Sequence, residues 1–392
     1  MKWRTLLFWL ILLLTAAPAQ SQVPELSPKA QFSVLTCGPG TDLYATFGHS
    51  SFRLRDPELG IDWVYNYGTF DFNTPNFYMK FARGQLPYAL SKQKFENFLY
   101  TYQLEHRWVR EQLLDLSPAE SRSLLAFLEE NHRPQNRFYE YDFLFENCAT
   151  KIPEVLKNVL GEGLSYSYDH LQESYTFRDL IHKNLRTNSW SSFGIDLALG
   201  SVIDRQASGP EYAFLPEYVE SQIGHASLDG ATLVSRERVI LDLDPLPPLV
   251  YFTATPLFWG LMLLGITLAI TWIDLRNGVR SKILDFVLFF LTGISGLVIA
   301  FLWFLTDHNA TVWNANLLWA MPLNVIPAFW ALFSTPKART MRGYLAALLV
   351  LIGVTLLLWI VGLQVFSPIL IPVLAALTIR YSYLISYYKP AL

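Results

Sequence analysis

Thiols are scarce in this sequence: Cys37 and Cys148 are the only two cysteines in 392 residues. That excludes a disulfide-dense secreted scaffold, which needs many bridges in place of a large core. Zinc patterns are missing too. Neither a Cys-x-x-Cys pair nor a His-Glu-x-x-His helix occurs, so no metal and no other cofactor is expected. Charge is thin, at 16% of residues with a net of -3, and no basic cluster offers a nucleic acid a phosphate-binding face. No internal repeat marks a solenoid. The two thiols leave two readings open. In an oxidising compartment they invite a bridge between Cys37 and Cys148, which would take either sulfur out of chemistry.

What is plentiful is apolar surface. Hydrophobic residues make up 52% of the chain, and they are unevenly spread. The start reads as a secretory signal over residues 1–19: Lys2 and Arg4, an apolar run from Leu6 to Leu14, then Ala17-Pro18-Ala19 as a small-residue cleavage site. An uncleaved anchor helix is the alternative, and both place the following domain outside the cytoplasm. No Cys follows that run closely, so the chain is not itself a lipoprotein. Residues 20–245 are expected to form an extracytoplasmic domain and 246–392 a membrane domain of about five helices, near 256–275, 283–305, 317–333, 344–363 and 368–385. Arg276, Arg280 and Lys282 follow the first span, and Lys337, Arg339 and Arg342 the third, whereas the loops 306–316 and 364–367 carry no Lys or Arg. Positive charge on alternate loops puts the C-terminus in the cytoplasm of a bacterial inner membrane, with the soluble domain in the periplasm. Pro322, Pro327, Pro368 and Pro372 are expected to kink spans three and five and open a lipid-sized groove.

The soluble half reads as α+β. Aromatic and apolar runs at 32–35, 51–54 and 62–67, separated by Gly- and Pro-containing turns, predict strands. Phe95, Phe98, Leu99 and Tyr102 repeat at helical spacing, as do Leu124, Leu125 and Leu128 behind the start signal Ser117-Pro118-Ala119-Glu120. Residues 108–116 predict another strand, 150–160 a helix, and 242–248 a stiff linker into the first span.

Cys148, in Asn147-Cys148-Ala149-Thr150, falls at the start of that helix, where the positive end of the helix dipole favours thiolate. The competing reading is a small buried apolar residue. Of seven His, His49 is the best candidate base, because Gly48-His49-Ser50 enters a strand with small neighbours. Asp62 and Asn66 share a face of the next strand, and either one would orient the imidazole. Asn147 and the backbone N–H of Cys148 are candidate oxyanion donors. Arg53 is a candidate phosphate contact, against the plainer reading of an exposed strand arginine. Tyr44 and Glu146 stay open. The outer loop Asp307-His308-Asn309, with Asn314 and Asn316, is either a solvated loop or the mouth where lipid meets the catalytic domain.

A His on a strand, a polar residue on the next strand and Asn147-Cys148 opening a helix resemble the circularly permuted papain-like thiol hydrolases, the branch that includes lecithin–retinol acyltransferase. Several segments resemble, more specifically, the Bacteroidota lipoprotein N-acyltransferase family called Lnb. They are Phe47-Gly48-His49-Ser50, residues 64–72, Tyr141-Asp142-Phe143, Asn147-Cys148-Ala149-Thr150, Gly194-Ile195-Asp196-Leu197 and Asp307-His308-Asn309. The resemblance implies a two-step acyl transfer. Cys148, deprotonated by His49, takes an acyl chain from a phospholipid donor as a thioester. It then passes the chain to the α-amine of a diacylated lipoprotein acceptor. Alternatives are a phospholipase or amidase of the same fold, a papain-like peptidase, and a membrane-anchored assembly factor without catalysis.

Overall fold

The computed structural model describes residues 24–243, 245, 249–333 and 338–389. The expected signal segment, Lys337 and most of the linker before the first span lie outside the described residues. The elements of the first half are β1 (Gln31–Cys37), β2 (His49–Asp56), β3 (Ile61–Thr69), α1 (Phe77–Arg83), β4 (Pro87–Lys94), α2 (Phe95–Leu104), β5 (Val109–Leu114), α3 (Pro118–His132), β6 (Phe138–Glu140) and α4 (Lys151–Leu160). There follow β7 (Leu164–Tyr166), α5 (Phe177–Lys183), α6 (Trp190–Ala198), α7 (Pro216–Gly224), β8 (Ala226–Leu228), β9 (Ala231–Thr232) and β10 (Val234–Leu241).

Seven strands form one antiparallel sheet in the order β10-β5-β1-β2-β3-β4-β6. Its two faces are set by the alternation of side chains along each strand. Phe52 and Leu54 of β2 and Tyr65 of β3 point to one face, where Leu124, Leu128, Ile152 and Val155 from α3 and α4 cover them. Leu35, Val64 and Val109 point to the other and are covered by Phe98 and Tyr102 of α2. Helix α3 begins where its sequence signal lies: Ser117 accepts from the Glu120 N–H while Glu120 accepts from the Ser117 N–H.

The second half is helical. α8 (Pro256–Asn277), α9 (Lys282–Phe304), α12 (Ala338–Ile360) and α13 (Leu370–Tyr387) are each long and apolar enough to cross a bilayer. The segment expected as a continuous third span is instead three pieces: α10 (Asn316–Trp319), a 3-10 turn Pro322–Asn324, and α11 (Val325–Phe333). Pro322 cannot donate a backbone bond, and buried polar groups hold the break. Asn324 donates to Thr292 at 2.8 Å and accepts from the Tyr344 hydroxyl at 2.5 Å. Small residues on α9 make the approach feasible, since a Cβ at Gly296 would lie 2.0 Å from the Ala320 carbonyl. The other three prolines make no break. Pro327 and Pro372 sit in the first turns of α11 and α13 and Pro368 precedes α13, positions at which a missing N–H costs little.

Hydrogen bonds across the boundary fix how the halves meet. The last carbonyls of α6, which have no intrahelical partner, accept from Asn314 and Asn316 of the outer loop at 2.9–3.0 Å. Both asparagines are fully buried, so this part of the loop is a clamp and not a solvated stretch. On the other side Trp190 donates to the Ala254 carbonyl at 2.8 Å, just before α8. At the far end of the bundle, fully buried Arg380 of α13 pairs with Asp274 of α8 at 2.8 Å and Asp285 of α9 at 2.6 Å.

Candidate active site

His49 opens β2 opposite Cys37 of β1, and its ring lies on the α2 face of the sheet. On the neighbouring strand Asn66 shares that face, and its Oδ1 sits 3.2 Å from His49 Nε2. Cys148 faces the same ring, and its side chain hydrogen-bonds to the imidazole. Cys148 reaches the strand ends from a turn before α4, and the Lys151 N–H to Asn147 carbonyl bond at 3.2 Å continues the helical path back to it. Gly68 makes room. Its φ is +85°, and a Cβ there would lie 3.3 Å from the Cys148 Cβ.

Electrostatics favour an ion pair. Burial alone would raise the Cys148 pKa, but the facing imidazole, its hydrogen bond, and the backbone N–H groups of Ser50 and Cys148 outweigh it and bring the thiol below its usual range. Burial opposes charge on His49 as well. The thiolate and the two hydrogen bonds, to Cys148 and Asn66, overcome it and raise the imidazole pKa. Each group therefore stabilises the charged form of the other, and a thiolate is the nucleophilic form of cysteine. The two thiols are not bridged. Cys37 is buried, and burial pushes its pKa up to about 12, so only Cys148 has nucleophilic character.

Other candidates lie elsewhere. Asp62 is four residues along β3 from Asn66, about 13 Å at strand rise, and both its carboxylate oxygens accept from Arg53 at 2.7 Å. It cannot orient His49. Arg53 is neither an exposed strand arginine nor a free phosphate contact. It is buried, bonded to Asp62 and Glu111, with its guanidinium 3.4 Å from the centre of the Phe95 ring. The Asn147 amide is consumed by structure: Oδ1 accepts from the Ala149 and Thr150 N–H groups, and Nδ2 donates to the Phe143 and Phe214 carbonyls. That leaves the backbone N–H of Cys148 from the expected oxyanion pair. Tyr44 is exposed and bonds to Asp42 at 3.2 Å. Glu146 pairs with Lys151.

The outer loop meets the catalytic half close by. The Asp307 N–H donates to the Arg83 carbonyl at 2.9 Å and its carboxylate accepts from Gln85 at 2.7 Å. Asn309 donates to Asp142 at 2.9 Å, six residues before Cys148, and His308 lies against Gly84. These residues tie down the segment after α1 and the turn that leads to Cys148. Sequence reasoning missed the Arg178 cluster, in which the buried guanidinium binds Asp196 at 3.1 Å and Asp204 at 2.7 Å beneath the clamp. Its signal was the Gly194-Ile195-Asp196-Leu197 segment. Beside His49 a cavity of about 350 Å³ is lined by Asn66, Gly68, Thr69, Ser91, Lys92 and Tyr102 among others. A larger cleft of about 750 Å³ lies away from the thiol, between β5, α7 and β10. Among the described residues no group of three or more His, Cys, Asp or Glu is arranged to hold a metal ion.

Fold and site together define the class: an α+β domain with a paired thiol and imidazole, clamped onto a bundle of membrane-length helices. Residues 25–183 match the family model described as the Lnb N-terminal periplasmic domain, and residues 250–390 that of the Lnb transmembrane domain. The chain belongs to the Lnb family, a membrane protein with a periplasmic domain and a lipoprotein N-acyltransferase-type role. Comparisons with curated proteins and with solved structures give no match.

Proposed function

We propose that the protein moves a fatty acyl chain from a phospholipid, through a thioester on Cys148, to the α-amine of diacylglyceryl-cysteine on lipoproteins. The Cys148 thiolate attacks the ester carbonyl, and the oxyanion takes a hydrogen bond from the Cys148 N–H. The tetrahedral species collapses as His49 gives its proton to the leaving glycerol oxygen, releasing lysophospholipid. The lipoprotein amine then attacks the thioester, His49 removes its proton, and the thiolate departs. A circularly permuted papain-like arrangement fits the order of His49 before Cys148. The observation that carries this reading is the pairing of Cys148 with His49, with the thiol pKa lowered and the imidazole pKa raised.

The reaction is assigned to the periplasmic face of a bacterial inner membrane, with a signal peptide removed and the C-terminus in the cytoplasm. Arg276, Arg280, Arg339 and Arg342 support that orientation, because they lie at the ends of helices remote from the clamp. The test is the intact mass of the full chain after incubation with phospholipid vesicles. One acyl adduct on Cys148, labile to hydroxylamine, is expected, followed by a triacylated lipoprotein on adding a diacylated acceptor. Free fatty acid as the sole product would make the protein a phospholipase instead.

A further inference from the structure

The segment between β3 and β4 carries an apolar surface that the catalytic geometry does not use. Phe72, Tyr78, Met79 and Phe81 are 66%, 81%, 54% and 55% exposed, a dense cluster for twelve residues of a water-facing domain. Its underside is fixed: Phe77 is buried with Leu86 and Tyr88, and Phe72 packs on Phe77 with ring centres 4.9 Å apart. A rigid, shaped face is therefore held outward. We propose that residues 72–83 insert into the outer leaflet of the bilayer that holds the helical domain, at the boundary between headgroups and acyl chains.

Three observations choose lipid as the occupant. First, the segment is tied to membrane level. Arg83 and Gln85 bond to Asp307, which is only three residues beyond the end of α9. Three residues reach about 10 Å at most, and the interfacial zone is roughly 5–7 Å thick on each side of the hydrocarbon. The end of α1 is therefore held within roughly 5 Å of the lipid surface. Second, Phe304 and Leu305 at the end of that span, three and two residues before Asp307, are both about two-thirds exposed. Third, Lys80 and Arg83 lie in the last turn of α1, suited to lipid phosphates. The segment starts four residues after Gly68, the residue packed against Cys148. Leaflet and thiol are thus joined by a few residues of chain. The insertion does not depend on the acyl-transfer chemistry.

The test uses the full chain in nanodiscs of phosphatidylethanolamine and phosphatidylglycerol, doped with a phosphatidylcholine carrying a diazirine on its acyl chain. After irradiation, peptide mass spectrometry is expected to find lipid adducts within residues 72–83 as well as on the spans. In a Tyr78→Ser/Phe81→Ser variant, labelling of this segment should fall several-fold while labelling of α8, α9, α12 and α13 stays unchanged. Adducts confined to the spans would overturn the proposal. So would labelling of residues 72–83 by a headgroup diazirine only, or by none until a lipoprotein is added and protects the segment from hydrogen exchange. The last result would make it a protein-docking face. None of these readouts requires turnover, so a failed acyl transfer leaves the insertion test intact.

Discussion

His49 Nε2 stands 3.2 Å from Asn66 Oδ1, and that contact makes Asn66 the group that holds the imidazole. A neutral amide can orient the ring and accept its N–H without locking the proton in place, so Asn66 is a positioning residue. Asn66→Ala is expected to lower kcat on the order of 100-fold. It should also pull the alkaline limb of the pH–rate profile to lower pH, since a hydrogen bond that raises the His49 pKa is lost. Asn66→Asp should move that limb upward. A merely structural role would leave both limbs where they are.

Asp62→Asn separates the two candidates by stability instead. Asp62 holds Arg53 but is 38% exposed at its side chain, so water screens much of the pair and the loss should be about 1 kcal/mol. Thermal melts should record that shift while kcat stays near wild type. A collapse of kcat in a folded Asp62→Asn protein would return Asp62 to the site.

The thiols should differ sharply in reactivity. Iodoacetamide at neutral pH is expected to alkylate Cys148 and leave Cys37 untouched, as read by peptide mass spectrometry, because burial holds Cys37 at about 12. Cys37→Ala should keep acyl transfer. Cys148→Ala and His49→Ala should each abolish it.

Activity should be bell-shaped in pH. The thiol pKa is lowered, so the rate should climb at a pH below the usual thiol value of about 8.5. The imidazole pKa is raised, so the rate should fall only above the usual imidazole value of about 6.5. Both limbs belong to the coupled pair and not to either residue alone. Single-turnover acylation across pH checks this, and a monotonic profile would contradict the ion pair.

Gly68→Ala should damage the reaction more than the fold. The added methyl group meets the Cys148 Cβ at 3.3 Å from a backbone with φ +85°, so the thiol must shift. A large drop in thioester formation is expected, with a melting temperature lowered by only about 2–6 °C from the left-handed backbone strain.

Much of this was legible in the sequence, for identifiable reasons. β1 to β3 show aromatic and β-branched runs between turn residues, and α3 announces itself with a capping box. Helix-start and strand-entry positions singled out Cys148 and His49, which the structure brings together. The third member stayed open because Asp62 and Asn66 share one face, and only the register that sets Asp62 against Arg55, within reach of Arg53, separates them. Arg53 misled because burial of a strand arginine depends on Glu111, fifty-eight residues away. The broken span was hidden for a similar reason. Hydropathy reports length, whereas the break at Pro322 rests on Thr292, Tyr344 and the close pass at Gly296.

The arginine of the last span ties together two carboxylates contributed by the first two. During synthesis Asp274 and Asp285 are made well before Arg380, so until the final helix arrives the opening hairpin has Arg280, beside Asp285, but not Arg380 to offset its two carboxylates. A ribosome that stops short of residue 380 leaves Asp274 without its arginine, which makes loss of the tail a defect in the earliest part of the bundle.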